Sequence, residues 1–269
     1  MAYNLDFLKA KMNGKASGGG NFKKLTFWKP DVGDHEIRVL PYEDSNKQPC
    51  QEVVYYTKLD DFTRFVAPHT FGMEDPIDIF KKKLFEEKLQ KGDPKRKLFS
   101  ICSEKQRYYF LLIDRKNEDA GPQLWEVSDD TAKQIFGILT HKDNEDENIF
   151  DADVGYDFTV SVQPDMENGK PKFWNGKPCK TIKVIQRKKP SKLHKDATIA
   201  AKWLGEMPQL EQYFKAQVKP AEKMEELLEA AIVALTDKMS QGTPTGPTSA
   251  SKTPSIAPPD DVDAAFKDL

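Results

Sequence analysis

Short runs of alternating apolar and polar residues fill most of the chain between Phe22 and Arg187. The clearest run is Tyr156–Val162, in which an aromatic or aliphatic residue occupies every second position. A strand with one buried face has this two-residue period, because successive side chains point to opposite faces of a sheet. The same pattern predicts further strands at Lys24–Trp28, His35–Leu40, Cys50–Lys58, Phe62–Ala67, Lys105–Arg115, Gln123–Val127 and Lys180–Arg187.

Helical periodicity is confined to one internal segment and to the region that follows Pro190. Ser128 is a candidate N-cap, and the helix after it should turn Ala132, Ile135, Phe136 and Leu139 inward. Short strands interrupted by a single helix indicate a β-rich α+β protein, a small β-barrel with helical additions. The additions are predicted helices at Ala197–Gly205, with Asp196 as N-cap, at 208–218 and at Pro220–Met239.

The two ends of the chain differ in composition from its middle. The first residues form an amphipathic pattern that leads into Gly18-Gly19-Gly20, which is typical of a flexible arm. A stretch of Thr, Pro, Ser and Gly near the other end has too few apolar residues to order itself. The predicted organisation is a flexible arm at 1–20, a core at 21–195, a helical extension at 196–241, a flexible linker at 242–259 and a disordered acidic tail at 260–269.

A net charge of −2 hides a strong segregation of charge along the chain. Residues 165–195 hold ten basic residues and two acidic ones, and residues 81–116 hold twelve basic residues and five acidic ones. Residues 143–157 hold seven acidic residues and no basic one, and the last ten residues hold four aspartates and one lysine. Charge runs are often only solvated surface, but both basic segments also contain aromatic side chains.

Single-stranded nucleic acid is bound by such a mixture of cations and aromatic rings. The cations neutralise phosphates, while the rings stack on bases whatever their sequence. The candidate stacking residues are Phe99, Tyr108, Tyr109, Phe173 and Trp174. Phe99 could equally be a core residue, and one of the two tyrosines must face the core if Lys105–Arg115 is a strand. The candidate phosphate-binding residues are Lys95, Arg96, Lys97, Lys105, Arg107, Lys172, Lys177, Arg187 and Lys188.

Sequence motifs of common enzymes are absent. No Gly-x-Ser-x-Gly, His-Glu-x-x-His or Cys-x-x-Cys occurs in the chain. Three distant cysteines argue against a disulfide framework, and no apolar run approaches the length of a membrane span. We therefore expect a soluble, intracellular, non-catalytic protein. The alternative from another class is a metal-dependent nuclease that uses Asp31, Asp114 and Lys116.

The order of these features resembles the single-stranded DNA-binding (helix-destabilising) proteins of T-even-like bacteriophages. The resemblance covers most of the chain at low identity. It rests on the basic arm, the Ile37-Arg38-Val39-Leu40-Pro41 stretch, the Tyr108-Tyr109 pair and the Asp-rich end. Phe99, nine residues before Tyr108, falls where the family has another stacking aromatic.

The resemblance implies an oligonucleotide-binding (OB) barrel that coats single-stranded DNA cooperatively during phage replication, recombination and repair. It implies self-association along DNA through the arm, with Lys9, Lys11 and Lys15 reaching the neighbouring protomer. The location implied is the cytoplasm of the infected bacterial host. The tail would recruit replication and recombination proteins through Asp260, Asp261, Asp263, Phe266, Asp268 and Leu269.

One departure from the family concerns its structural zinc, which the best-known members hold with one histidine and three cysteines. Here His69 remains, but Asp75 and Asp78 stand where Cys-Pro-x-Cys is expected. Carboxylates replace thiolates poorly in a structural zinc site, so we expect no zinc and no other cofactor. The subdomain at 68–100 would then be held by the packing of Ile77, Ile79, Phe80, Leu84 and Phe85.

An RNA-binding or translational-repressor module remains the alternative among binding proteins. Stacking and charge do not distinguish ribose from deoxyribose unless a side chain contacts the 2′-hydroxyl group. The sequence therefore predicts binding of single strands more firmly than it predicts DNA.

Overall fold

The computed structural model describes residues 25–44, 48–60, 63–144, 148–174 and 177–241. This part of the chain is an α+β protein with a mostly antiparallel sheet and five α-helices, so the predicted class is confirmed. Contacts divide the chain into a unit at 1–233 and a unit at 234–269. Only the end of the last helix is described in the second unit. The predicted arm, linker and tail lie outside the described residues.

The strands and helices are as follows. The strands are β1 (Gly33–Val39), β2 (Gln51–Tyr56), β3 (Phe65–Val66), β4 (Glu104–Asp114), β5 (Gln123–Val127), β6 (Tyr156–Pro164), β7 (Met166–Glu167), β8 (Lys170–Pro171), β9 (Phe173–Trp174), β10 (Lys177–Pro178) and β11 (Lys180–Pro190). The helices are α1 (Pro76–Glu86), α2 (Asp129–Leu139), α3 (Ala197–Gly205), α4 (Leu210–Lys215) and α5 (Ala221–Gln241).

A single seven-stranded sheet organises the fold. Its strands are neighbours in the order β11, β6, β1, β4, β2 and β3, and β5 pairs with the opposite edge of β4. The long β4 reaches β2 through its first half and β1 through its last residues. Among the described residues β5 and β11 do not pair with each other, so hydrogen bonds do not close the sheet into a barrel.

The inner face of the sheet forms the larger core together with α2. Phe110, Trp125 and Phe158 are fully or nearly fully buried there. The predicted inward face of α2 is confirmed, since Ala132 and Ile135 are buried and its larger apolar residues pack against the same core. Ser128 precedes this helix, but its hydroxyl contacts the Thr131 hydroxyl (3.3 Å) instead of capping a backbone amide.

The outer face of β2, β4 and β5 is covered by the predicted helical extension. Trp203 from α3 and Phe214 from α4 are buried against this face. Asp196 caps α3 as predicted, because its carboxylate accepts a hydrogen bond from the Thr198 amide at 2.8 Å. The helices decide which residues of β4 are accessible, since every second side chain of that strand points towards them.

Two predicted strands are shorter than expected. The segment around Phe27 only bridges to Leu124 of β5, in parallel orientation. Pro30, which follows closely, has no amide hydrogen with which to extend this pairing. The strand expected at Phe62–Ala67 is limited to the two residues of β3.

The connection between β6 and β11 branches into two small hairpins, which we call the branched hairpin (165–179). β7 and β8 form the first hairpin, whose turn at Asn168-Gly169 has positive φ values of 52° and 77°, as expected for the Asn-Gly pair. β9 and β10 form the second. Three backbone hydrogen bonds join the branches, from Asp165 to Cys179, from Lys172 to Asp165 and from Cys179 to Lys172 (2.8–2.9 Å).

The segment 68–100 packs differently from the prediction. Ile77 and Leu84 of α1 are buried and Phe80 is half-buried, but Ile79 and Phe85 are 38% and 46% exposed. Ile79 thus contributes less to this packing than predicted, whereas Phe85 packs against Phe99 of the same segment, with ring centroids 4.7 Å apart. No helix among the described residues is both long and apolar enough to cross a membrane.

Candidate functional site

Three cations surround one carboxylate on the outer face of β4, and we call this group the cationic cluster (Arg64, Lys105, Arg107 and Glu126). Arg64 donates to both oxygens of Glu126, at 2.6 and 2.7 Å. The Arg107 Nε lies 3.2 Å from the same carboxylate. With three positive charges and one negative charge, the cluster favours the approach of an anion.

Strand register and two tyrosines position the cationic cluster. Lys105 is the Cα partner of Tyr55 on β2, and Tyr109 is the partner of Glu126 on β5. The guanidinium carbon of Arg64 lies 4.4 Å from the centre of the Tyr55 ring, a cation–π contact. The hydroxyl groups of Tyr55 and Tyr109 are 2.7 Å apart, and the Tyr109 hydroxyl also accepts a hydrogen bond from Arg64 at 3.4 Å.

The charges of the cationic cluster influence one another. Burial lowers the pKa of Lys105, and the neighbouring Arg107 and Arg64 lower it further by like-charge repulsion. Burial alone would raise the pKa of Glu126, but hydrogen bonds from Arg64 outweigh it, and the pKa is lowered. The hydrogen bond to Glu126 in turn raises the pKa of Arg64. Glu126 and Arg64 are therefore charged at neutral pH.

A cleft of about 270 Å³ lies beside the cationic cluster. Glu126 lines it together with Phe27, Lys29, Trp125 and Lys180. Phe27 is 36% exposed, and the Lys180 ammonium donates to the Pro30 carbonyl at 3.3 Å. Because Lys180 begins β11, the cleft lies between β5 and the base of the branched hairpin.

The branched hairpin exposes an aromatic ring among cations. Phe173 is 60% exposed, and Lys170 and Lys172 are exposed beside it. A phenyl ring with this much free surface is able to stack on a base. Trp174 and Lys177 lie in paired strands, but their side chains are outside the described part of the structure.

A second aromatic group lies on the segment 68–100. The rings of Phe85 and Phe99 are 4.7 Å apart, and Phe99 is half-buried. Lys95 is exposed and forms an ion pair with Glu87 at 2.7 Å. Of the other two basic residues predicted there, Lys97 is exposed and Arg96 is half-buried.

The prediction that Tyr108 and Tyr109 stack on bases is wrong for both residues in this structure. Tyr109 has no exposed surface, because Phe214 of α4 covers its ring at a centroid distance of 4.3 Å. Tyr108 is 7% exposed and packs against Phe136 of α2. Burial raises the pKa of Tyr108 to about 12. Helices thus cover the strand from both sides, which alternation within the strand cannot reveal.

The predicted phosphate-binding residues of β11 differ in their surroundings. Arg187 forms an ion pair with Glu36 of β1 at 2.7 Å. Lys188 is exposed, as are the neighbouring Lys183 and Lys189. Lys188 is therefore the more available of the two predicted phosphate ligands.

The residues proposed for the nuclease alternative make hydrogen bonds to other parts of the chain. The Asp114 carboxylate accepts from the Trp28 indole (3.0 Å) and from the Lys116 amide (2.9 Å). The Lys116 ammonium donates to the Asp34 carbonyl at 2.9 Å. Asp31 is exposed and contributes its carbonyl to His35. These contacts do not bring the three side chains together in one cluster.

Asp75 joins three parts of the chain around the start of α1. Its carboxylate accepts hydrogen bonds from the His69 ring (2.7 Å), the Tyr56 hydroxyl (2.9 Å) and the Ile77 amide at the start of α1 (3.1 Å). These contacts join β2, the turn at His69 and α1. Asp78 accepts instead from Lys82, one helical turn further on. Within the described ranges, no group of three or more His, Cys, Asp or Glu residues could hold a metal ion.

Arg64, Phe27 and Lys29 were not among the predicted site residues. Arg64 is a single cation in its local sequence, whereas Phe27 and Lys29 lie in Phe22-Lys23-Lys24-Leu25-Thr26-Phe27-Trp28-Lys29, a mixture of rings and cations outside the two basic segments. Arg64 contacts Tyr55, Tyr109 and Glu126 of three different strands. Phe27 and Lys29 line the cleft with residues of β5 and β11. The predicted strand at Phe62–Ala67 contained Arg64, but only its pairing partners could have identified its role.

The chain was compared with protein-family models and with curated proteins. No family model and no curated protein matches it.

Proposed function

We propose that this protein binds single-stranded DNA without catalysis and largely without sequence preference, and that it protects the strand during phage replication, recombination and repair. The cations and exposed rings described above are the chemistry that such binding requires. Sequence independence is expected from the kinds of contact that these cations and rings make. Stacking and phosphate contacts act on every base.

The strand order supports an OB barrel as the fold of the core. An OB fold is a partly open barrel of five strands, and it binds oligonucleotides through one face and the loops that follow its first and fourth strands. In chain order β1, β4, β5, β6 and β11 are equivalent to those five strands, and α2 lies between the third and the fourth. The observed neighbours β5-β4-β1-β6-β11 have the order of such a barrel, opened between its third and fifth strands.

The observation on which the proposal rests is the position of the basic segments in this order. Most of the first, 81–116, belongs to the connection between β1 and β4, and the second begins with the branched hairpin between β6 and β11. These are the connections that OB proteins use for single strands. Charge and aromatic content were derived from the sequence alone, so their coincidence with these two loops is an independent argument.

The arm and the tail complete the proposal but lie outside the described residues. The arm, with Lys9, Lys11 and Lys15, would provide cooperative self-association along DNA. The acidic tail would recruit replication and recombination proteins. Both roles rest on the resemblance described above and on the composition of these segments.

A mobility-shift comparison tests the proposal. The full chain is titrated against single-stranded DNA, duplex DNA and RNA of matched sequence at one fixed salt concentration. Preference for single-stranded DNA is expected, whereas stronger binding of RNA would favour the translational-repressor alternative. The same strand, end-labelled and incubated with protein and Mg²⁺, should remain full-length, since shortening would indicate a nuclease.

A further inference from the structure

The cationic cluster has an unusual balance of charge for a structural ion pair. Glu126 is shared by Arg64 and Arg107, and two positive charges remain uncompensated within the cluster. In the described part of the chain the Lys105 ammonium forms no ion pair with any carboxylate. A group of cations that exceeds its own carboxylates is more typical of an anion site than of a fold-stabilising network.

The carboxylate of Glu126 has the shape of the anion that such a site would bind. A phosphodiester presents two non-bridging oxygens that share one negative charge, and an arginine fork binds two such oxygens as it binds a carboxylate. Arg64 already holds Glu126 in this two-point manner, at 2.6 and 2.7 Å. The stacking of Arg64 on Tyr55 fixes the plane of the guanidinium group, so this group is already oriented for an anion in the free protein.

We propose that Arg64, Lys105 and Arg107 form a phosphodiester site, and that Glu126 occupies it in the free protein in place of the phosphate. The inference rests on the proposed function and adds a named site and a competing group to it. A phosphate that binds here displaces the Glu126 carboxylate from Arg64 and Arg107, so the two anions compete for the same cations. The competition weakens binding at this site and makes exchange between adjacent phosphates easier.

Two substitutions test the phosphodiester site and the competing Glu126 carboxylate separately. Glu126→Gln keeps the shape of the side chain but removes its charge, so affinity for a short oligothymidylate should rise several-fold at low salt. Lys105→Gln should lower the slope of log K against log salt by about 0.7, the value for one phosphate on a single strand. Lys105 has no ion-pair partner among the described residues, so this variant should melt at the wild-type temperature. Lys142→Ala, which changes an exposed lysine next to the acidic segment, is the matched control.

The measurements are fluorescence titrations of each full-length variant at several salt concentrations. An oligothymidylate with an uncharged methylphosphonate backbone should bind all variants equally, since no phosphate charge is left to compete with Glu126. The proposal is overturned if Glu126→Gln folds and binds no more tightly than the wild type, or if Lys105→Gln has the wild-type slope. If Glu126→Gln does not fold, the Lys105→Gln slope alone decides. Failure of the wild type to bind any single strand would instead overturn the proposed function together with this site.

Discussion

Arg38 donates a hydrogen bond to the carboxylate of Asp157 at 3.3 Å, and its side chain has no exposed surface. Arg115, which directly follows β4, donates to the same carboxylate at 2.8 and 3.1 Å. Arg38 also donates to the carbonyls of Asp151 and Ser191, so it ties the strand β1 to the segments before β6 and after β11. Arg38, part of the stretch on which the family resemblance rests, thus has a structural role here.

Loss of this buried pair should destabilise the protein strongly. Asp157→Ala leaves Arg38 buried without its counter-ion, which typically costs about 3–5 kcal/mol. Urea unfolding of the variant measures the loss. Per folded molecule, affinity for single-stranded DNA should be unchanged, and a normal unfolding free energy would show that the guanidinium finds compensation elsewhere.

The His69–Asp75 pair should make stability depend on pH. The hydrogen bond to Asp75 raises the pKa of His69, so its contribution is complete below the unfolded value of about 6.5 and is lost as pH rises through the folded value. Burial opposes ionisation of Asp75, but bonds from His69 and Tyr56 lower its pKa, so its contribution is lost as pH falls below about 4.

The measurement is the unfolding free energy of the wild type minus that of His69→Ala across this pH range. The difference should be on the order of 1 kcal/mol between about pH 4 and pH 6.5 and should decrease on either side. A difference that is constant with pH would mean that His69 packs against Asp75 without an ionic contribution.

Phe173 and Tyr109 should respond in opposite ways to substitution. Phe173→Ala removes an exposed ring, so it should cost roughly 1–3 kcal/mol of binding to single strands, with an unchanged melting temperature. Tyr109→Phe removes a buried hydroxyl group that pairs with Tyr55, so it should cost about 1 kcal/mol of stability and leave affinity intact. Loss of affinity in Tyr109→Phe with unchanged stability would instead show that the Tyr109 hydroxyl contacts the strand.

Salt dependence should identify the phosphate contacts of β11. Lys188→Ala should reduce the slope of log K against log salt by about 0.7, one contact on a single strand. Lys142→Ala serves as the control and should leave the slope unchanged. Equal slopes for both variants and the wild type would remove Lys188 from the interface.

Deletion of residues 1–20 should separate cooperativity from intrinsic affinity. The shortened chain is expected to bind a short oligonucleotide almost as the wild type does, while losing cooperative coating of a long strand. Titrations on the two lengths measure this difference. An equal loss on both lengths would make the arm part of the primary site, and no loss on either would leave it without a role in binding.

Local sequence determined the strands, the turns and the distribution of charge. The alternation in Tyr156–Val162 is the pattern of a strand with one face buried, and β6 includes this segment. Asn168-Gly169 favours a turn with positive φ at both residues, which β7 and β8 contain. Both properties depend on neighbours along the chain, so they were predictable without knowing the fold.

Tertiary structure alone decided which of these residues are accessible and which of them meet. Tyr109 and Phe173 are both aromatic residues in basic segments, yet α4 buries the first while the second is exposed. Arg64 and Glu126 are 62 residues apart in sequence, and only the pairing of β2 and β5 with β4 brings them together. Alternation specifies that a side chain points to one face of a sheet, but the elements that cover that face are distant in sequence. Packing between distant segments therefore decides which cations and rings are left to bind a strand.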